Sequence, residues 1–178
     1  MKSSNSGPMD EHHQNEQYFF DIPSIEHLHD FVSRYQSPCC LCAPTLGRSL
    51  AEAGVEVTVL DIDRRFKDVP GFQFFDMEHP KWLDQRFDLI ISDPPFFNVS
   101  LRQMVSAFSL LAHHDFEQKI LVSYLSRRAR AIEHAFKKFG IKATDYRPGY
   151  QTVRKIEKND IQFFGNLSKE ETELLTAT

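Results

Sequence analysis

Five short runs of apolar residues, rich in β-branched and aromatic side chains, punctuate this chain. Residues 38–43, 55–60, 72–75, 87–92 and 119–125 have the length and composition of strands buried inside a sheet. Between them the apolar positions change to a spacing of three and four. Ser24 is placed to cap a first helix, whose inner stripe is Ile25, Leu28, Phe31, Val32 and Tyr35. Thr45 is placed to cap a second, running through Glu52 and stopped by Gly54. A third starts near Ser100 with Leu101, Met104, Val105, Phe108 and Leu111 inward. A fourth, capped by Ser126 and ended by Gly140, turns Ala129, Ile132, Ala135, Phe136 and Phe139 inward.

After these β-α units, residues 141–146 and 160–164 read as an antiparallel hairpin with a long basic turn over 147–158. Ser168 and Glu171 form a capping-box pair for a short C-terminal helix or tail over 168–178. Residues 1–16 are polar, carry Gly7-Pro8 and lack an apolar period, so a disordered tail is expected there. The pattern specifies an α/β fold: a doubly wound, mostly parallel sheet closed by a C-terminal antiparallel hairpin, in one domain over 17–167.

Composition narrows the classes. No apolar run approaches the ~20 residues that span a bilayer, and the N-terminus has no signal-peptide core. The expectation is an intracellular protein with no membrane partner, cytoplasmic in the first instance and with the nucleus left open. Cys39, Cys40 and Cys42 share one apolar stretch; Cys39 and Cys42 have C-x-x-C spacing without a second pair, which favours buried strand cysteines over a metal site. Net charge is −4, yet residues 119–158 hold eleven Lys and Arg against three acids, leaving the remainder strongly acidic. Such a split is the footprint of an anionic partner or of a solvated helix face. Arg127, Arg128 and Arg130 stand at a helix start, where cations oppose the helix dipole, and so are candidates for phosphate contacts.

Candidate chemistry concentrates at Asp93-Pro94-Pro95-Phe96, directly after the fourth strand. Ligands of open α/β sheets bind at the carboxyl ends of strands. Two prolines fix the turn and remove two backbone donors, leaving a carboxylate, carbonyl acceptors and an aromatic face. That set suits an amino group, which offers donors to those acceptors. Asp61, at the end of the second strand, is placed to accept from a ribose diol, whereas Asp63 is expected to turn to the other side. The turn after the first strand contains a single glycine, Gly47, so Ala43, Pro44, Thr45 and Gly47 are the candidates to line the ligand there, with the backbone amides of 43–47 other than that of Pro44 as donors.

Asp93-Pro94-Pro95-Phe96, together with Leu60-Asp61-Ile62-Asp63-Arg64-Arg65-Phe66 and Phe74-Phe75-Asp76, resembles the probable N6-adenine methyltransferase family. That family includes a zinc-finger ribosomal RNA adenine methyltransferase and the lysine methyltransferases of elongation factor 1A. The resemblance runs from about Gln17 to Asn166. It implies a Rossmann-like class I methyltransferase with a seven-stranded sheet and S-adenosylmethionine as cofactor. It also implies that Asp76 and Met77 sit against the cofactor's adenine. The aromatic stretch Tyr18-Phe19-Phe20 would close over cofactor or target, unless it serves as a hydrophobic staple.

By the same resemblance, Asp93, Pro94, Pro95 and Phe96 would hold the acceptor amine, with Tyr18, Phe19, Phe97, Asn98 and the three arginines on the substrate side. Methyl transfer would be direct and in line. The favoured acceptor is adenine N6 in single-stranded or looped RNA, given Phe in the fourth position and the basic segment. The alternatives are a protein lysine on a translation elongation factor, and an inactive methyltransferase-fold subunit acting by binding; an accessory protein partner is compatible with each.

Overall fold

A computed structural model of the protein describes residues 9–154 and 157–177. Strands β1 (Pro38–Leu41), β2 (Thr58–Asp61), β3 (Phe72–Phe74), β4 (Leu89–Ser92), β5 (Ile120–Leu125), β6 (Lys142–Ala143) and β7 (Ile161–Gly165) form one sheet in the order β3-β2-β1-β4-β5-β7-β6. Neighbours among β1 to β5 are parallel, and β7 runs antiparallel to both β5 and β6. This is the seven-stranded sheet with a C-terminal antiparallel pair that the sequence implies. Strand order reverses between β1 and β4, so the connections after these two strands leave in opposite directions and open a crevice at their carboxyl ends.

Strand alternation sorts the core into two layers. Cys39, Leu41, Ile90, Ile120 and Val122 face α3 (Leu101–Leu111) and α4 (Ala129–Ala135), meeting Met104, Phe108, Ile132 and Phe136. Cys40, Leu89, Ile91 and Leu121 face α1 (Ile22–Val32), α2 (Pro44–Glu52) and α5 (Lys169–Thr176), meeting Leu28, Phe31, Leu46, Leu50 and Leu175. His27 Nε2 donates to the Leu175 carbonyl and the ring stacks on Tyr146, so it ties α1 to α5. None of the described helices is long and apolar enough to cross a membrane.

Several caps differ from expectation. Asp21, not Ser24, caps α1: its carboxylate accepts from the Ser24 amide at 3.0 Å, while the Ser24 hydroxyl accepts from Gly149 N–H. Pro44 opens α2 directly, leaving Thr45 inside the first turn. Ser126 caps nothing, because its amide donates to the Asp160 carbonyl at 2.8 Å and holds the chain beside β7. A 3-10 turn intervenes and α4 begins only at Ala129. Ser100 and Ser168 do form capping boxes.

The polar N-terminus is also more ordered than its composition indicates. Among residues 9–16, Glu11 accepts from Phe19 N–H, from the Thr152 hydroxyl and from His13, and Glu16 accepts from Phe97 N–H. Residues 1–8 of the expected tail lie outside the described residues.

Gly71 stands in the turn leading into β3 with φ +85°, and an added Cβ would meet the Val57 carbonyl oxygen at 1.9 Å. Gly71→Ala is therefore expected to cost more than the ~1–2 kcal/mol of a left-handed backbone alone, since the neighbouring atom is main chain and cannot yield. A thermal melt should show Tm lower by roughly 4 °C or more.

Candidate active site

The crevice at the switch point is built from four strand ends. After β1 the chain turns at Cys42, which adopts a left-handed backbone (φ 55°) and donates its amide to the Leu60 carbonyl. A non-glycine residue thus makes the turn for which glycine is the usual choice. Ala43, Pro44 and Thr45 line the cleft that follows. Gly47 does not: it lies inside α2 against β2, where a Cβ would come 2.5 Å from Val59. Its role is close packing of helix on strand. Burial pushes the Cys39, Cys40 and Cys42 thiols up.

After β2, Asp61 is 7% exposed, and its Oδ1 accepts from the Asp63 amide at 2.8 Å. Burial pushes its carboxyl up to about 6. Asp63 lines the same cleft, against the expectation that it turns to the other side. Residues two apart along a strand share a face, so the side that Asp61 takes at the end of β2 is also the side on which Asp63 continues. The Asp63 carboxylate takes three hydrogen bonds from two Arg65 guanidinium nitrogens, at 2.7–3.1 Å, and one from Gln17 at 2.8 Å. Although burial works against it, these donors bring Asp63 down to about 2. After β3, Met77 is buried and Asp76 half-buried, both against the cleft. A hydrogen bond from exposed His79 holds Asp76 below the usual carboxylate range.

After β4 comes Asp93. Strand register places Ser92 opposite Val122, so the next residue of each strand, Asp93 and Ser123, are neighbours. The Ser123 hydroxyl donates to Asp93 Oδ1 at 2.5 Å, and the Tyr150 hydroxyl donates to the same oxygen at 2.7 Å. Among the described residues Oδ2 has no hydrogen-bond partner. Burial pushes the carboxyl up to about 7 in spite of the two hydroxyls, which act the other way.

Asp93 stands on the wall between two cavities. One is the cleft just described, lined by Ala43, Asp61, Asp63, Asp76, Met77, Pro95, Asn98 and Phe19. The other is lined by Pro94, Phe96, Phe97, Tyr150, Arg154 and Ile161. Among the described residues only Asp93, Glu16 and Tyr18 line both. Phe96 is held edge-on by Tyr124 (5.4 Å between centroids) and by Phe97 (5.9 Å). Phe19 is buried and packs on Phe66.

The N-terminal strip covering both cavities is fixed by backbone hydrogen bonds. Asp21 donates to the Gly149 carbonyl and Gln151 to the Phe19 carbonyl, each at 2.9 Å. The segment expected as a basic turn is thus a wall of the site, although Lys155 and Ile156 within it lie outside the described residues.

Three residues of the site carry no motif: Glu16, Ser123 and Tyr150. Ser123 had one local signal, a hydroxyl inside an otherwise apolar strand, which burial obliges to find a partner. Arg127, Arg128 and Arg130 line neither cavity. Arg128 instead donates to the Tyr124 hydroxyl at 2.9 Å and so props the ring behind Phe96.

The arrangement can hold a diol- and amine-bearing molecule in the first cavity. Asp61 brings a buried carboxylate to that cavity and Asp76 a half-buried one, both acceptors for hydroxyl or amine donors. A second molecule can enter through the aromatic cavity, and the two would meet at Asp93.

Comparison with known proteins agrees with this geometry. The family model described as probable N6-adenine methyltransferase matches residues 11–169. An EEF1A lysine methyltransferase 1 from Danio rerio is 31% identical over 121 residues, covering 61% of this chain and 69% of that protein. In fold, the chain is similar to a TehB-like SAM-dependent methyltransferase from Corynebacterium glutamicum (TM-score 0.56, 11% identity, 82% of this chain and 87% of the other). It is also similar to magnesium protoporphyrin IX methyltransferase from Synechocystis PCC 6803 with bound SAM (TM-score 0.53, 14% identity, 80% and 77%).

Proposed function

The chain belongs to the probable N6-adenine methyltransferase family, and we propose that this S-adenosylmethionine-dependent methyltransferase places its methyl group on the ε-amine of a protein lysine. The observation that carries the choice is a pair of carboxylates, Asp93 and Glu16, facing one aromatic-lined cavity. Glu16 Oε2 accepts from Phe97 N–H at 3.0 Å, whereas its Oε1 is buried and has no hydrogen-bond partner. Burial raises the Glu16 carboxyl, an expense that a cation in the cavity would offset.

A lysine ammonium brings three donors and no acceptor, and it is attracted to the faces of Tyr18, Phe96, Phe97 and Tyr150. Adenine brings two donors at N6, but its ring nitrogens on either side are acceptors that a second carboxylate would oppose. The basic segment gives RNA little support near the site. Lys119 pairs with Glu171, Lys142 with Glu133 and Arg147 with Asp160. The lysine specificity of the zebrafish relative supports the same choice.

The cofactor supplies an activated methyl group on a sulfonium sulfur. The chain's own residues then have three tasks. Asp61, with Ala43–Thr45 backbone and Met77 nearby, would hold the ribose and base. The aromatic walls would strip water from the incoming amine and lower its pKa, so that it enters reaction as the neutral nucleophile. Asp93 Oδ2 and the Pro94 carbonyl would accept its N–H bonds, orient its lone pair across the wall and take up the proton released.

Adenine N6 is the second candidate, favoured by Arg154 in the acceptor cavity, the one arginine among its described lining residues and suited to a phosphate. Methyl-labelled cofactor incubated with the protein, RNA and an undersaturated protein extract separates the two. Label in protein hydrolysates as methyl-lysine, absent with Asp93→Ala, is the expected result; label as N6-methyladenine in RNA would reverse the assignment. Glu16→Gln keeps the size of the side chain but replaces its charge. It is expected to raise KM for the protein acceptor about tenfold, with kcat and cofactor affinity nearly unchanged, as read from steady-state kinetics.

A further inference from the structure

We infer that Tyr150 and Ser123 are positioning residues for the reaction: their hydroxyls lock the Asp93 carboxylate by one oxygen so that the other alone faces the amine. The inference rests on Asp93 receiving that amine, and its geometry is independent of whether the amine belongs to lysine or adenine.

Both hydroxyls converge on Oδ1, at 2.5 Å from Ser123 and 2.7 Å from Tyr150. Two donors on one oxygen fix the plane of the carboxylate, leaving Oδ2 as its free acceptor. A freely rotating carboxylate would present either oxygen in turn and lose the alignment an in-line transfer needs. The two supports come from different parts of the fold. Ser123 is fully buried in the middle of β5, so its position is set by the sheet. Tyr150 lies beyond β6 in a segment without regular structure, and it is held by the N-terminal strip. Residue 20 bridges to it in antiparallel fashion, and the Phe20 ring lies 5.3 Å from its own. The two flanking backbone hydrogen bonds, Asp21 to Gly149 and Gln151 to Phe19, clamp either side. The strip that covers the cavities therefore also sets the acid beneath it.

Hydrogen bonds to the charged form of a carboxylate favour that form. Without the two hydroxyls, burial alone would act on Asp93, and its proton would be held more tightly. The other ionisable groups sharing its cavities are Glu16, Tyr18, Cys42, Asp61, Asp63, Asp76 and Glu78 on one side and His13 and Arg154 on the other. Among the described residues only Ser123 and Tyr150 hydrogen-bond its carboxylate.

The test is a carboxyl carbon-13 NMR titration of Asp93 in the full chain, with Asp93→Asn to assign the signal, alongside single-turnover methylation against pH. Tyr150→Phe should move the Asp93 titration up by about one pH unit and shift the acid limb of the rate profile the same way. Cofactor affinity should stay within about twofold. Ser123→Ala should do the same in kind, and it serves as the second variant should Tyr150→Phe unfold. Wild-type titration and profile in both variants would overturn the inference. So would a fall in rate with no shift in either curve, since that would mean a purely structural role. A titrating Asp93 whose replacement by asparagine leaves turnover intact would instead sink the assignment of Asp93 as amine acceptor.

Discussion

Asp93→Asn is expected to lower turnover about 10²- to 10³-fold while leaving cofactor affinity near that of the wild type. An amide of the same shape keeps the van der Waals contacts, but one of its two positions donates where the carboxylate accepts. With Ser123 and Tyr150 donating to the other position, the amide nitrogen is driven to face the amine, donor against donor. The lost orientation and the lost proton acceptor each fall in the range of a positioned acid–base group. Single-turnover rates with pre-bound cofactor, paired with calorimetry of the cofactor alone, check both halves.

The same substitution should stabilise the fold at alkaline pH. The Asp93 carboxyl is pushed up to about 7 from an ordinary 3.8 by burial. Between those values the folded chain holds a proton that the unfolded chain releases, so stability falls as pH rises through this window. Asparagine carries no charge to bury and removes that loss. Above pH 8, Asp93→Asn should melt several degrees higher than wild type, with the difference vanishing near pH 4. Loss of activity with gain of stability is the signature of a charge kept for function against the preference of its site.

What could be read from the chain alone was what local pattern controls. β1, β4 and β5 are buried at every position, so their sequences are continuous apolar runs and the parallel sheet follows. Asp93 was visible because two prolines mark the strand's end. Asp61 and Asp63 are two residues apart, so strand alternation itself sets them on one face, and the cleft holds both. Ser24 and Asp21 are both acceptable caps three residues apart; the Gly149 amide, 125 residues away, claims Ser24 and leaves the helix to Asp21.

Glu11, Glu16 and Tyr150 depend on the same kind of long-range pairing. An acid in a polar stretch looks solvated until a partner such as Thr152 or Phe97 N–H is brought to it. The basic segment is legible as charge but not as a surface, for the converse reason. Charge counted along the chain says nothing of which acids will face it, and Glu133, Asp160 and Glu171 do.

Asp61→Asn should weaken S-adenosylmethionine binding about 100-fold or more, with little effect on the acceptor's KM at saturating cofactor. A ribose diol presents two donors, and a carboxylate at the end of β2 would accept both; charge-assisted bonds of this kind contribute about 1.5–3 kcal/mol each. The amide of asparagine can accept from one hydroxyl only and turns a donor to the other. The pH dependence carries the sharper signature. Burial holds the Asp61 carboxyl up to about 6, so in the free protein it gains a proton not far below neutrality. Cofactor binding, which requires the ionised form, should then weaken as pH falls through 6 and approach a tenfold loss per unit below it. In Asp61→Asn that slope should disappear, leaving weak and pH-independent binding between pH 5 and 7. A retained slope in the variant would move the responsible proton to a neighbour, with Glu16 next in line because its carboxyl is also raised and lines the same cleft.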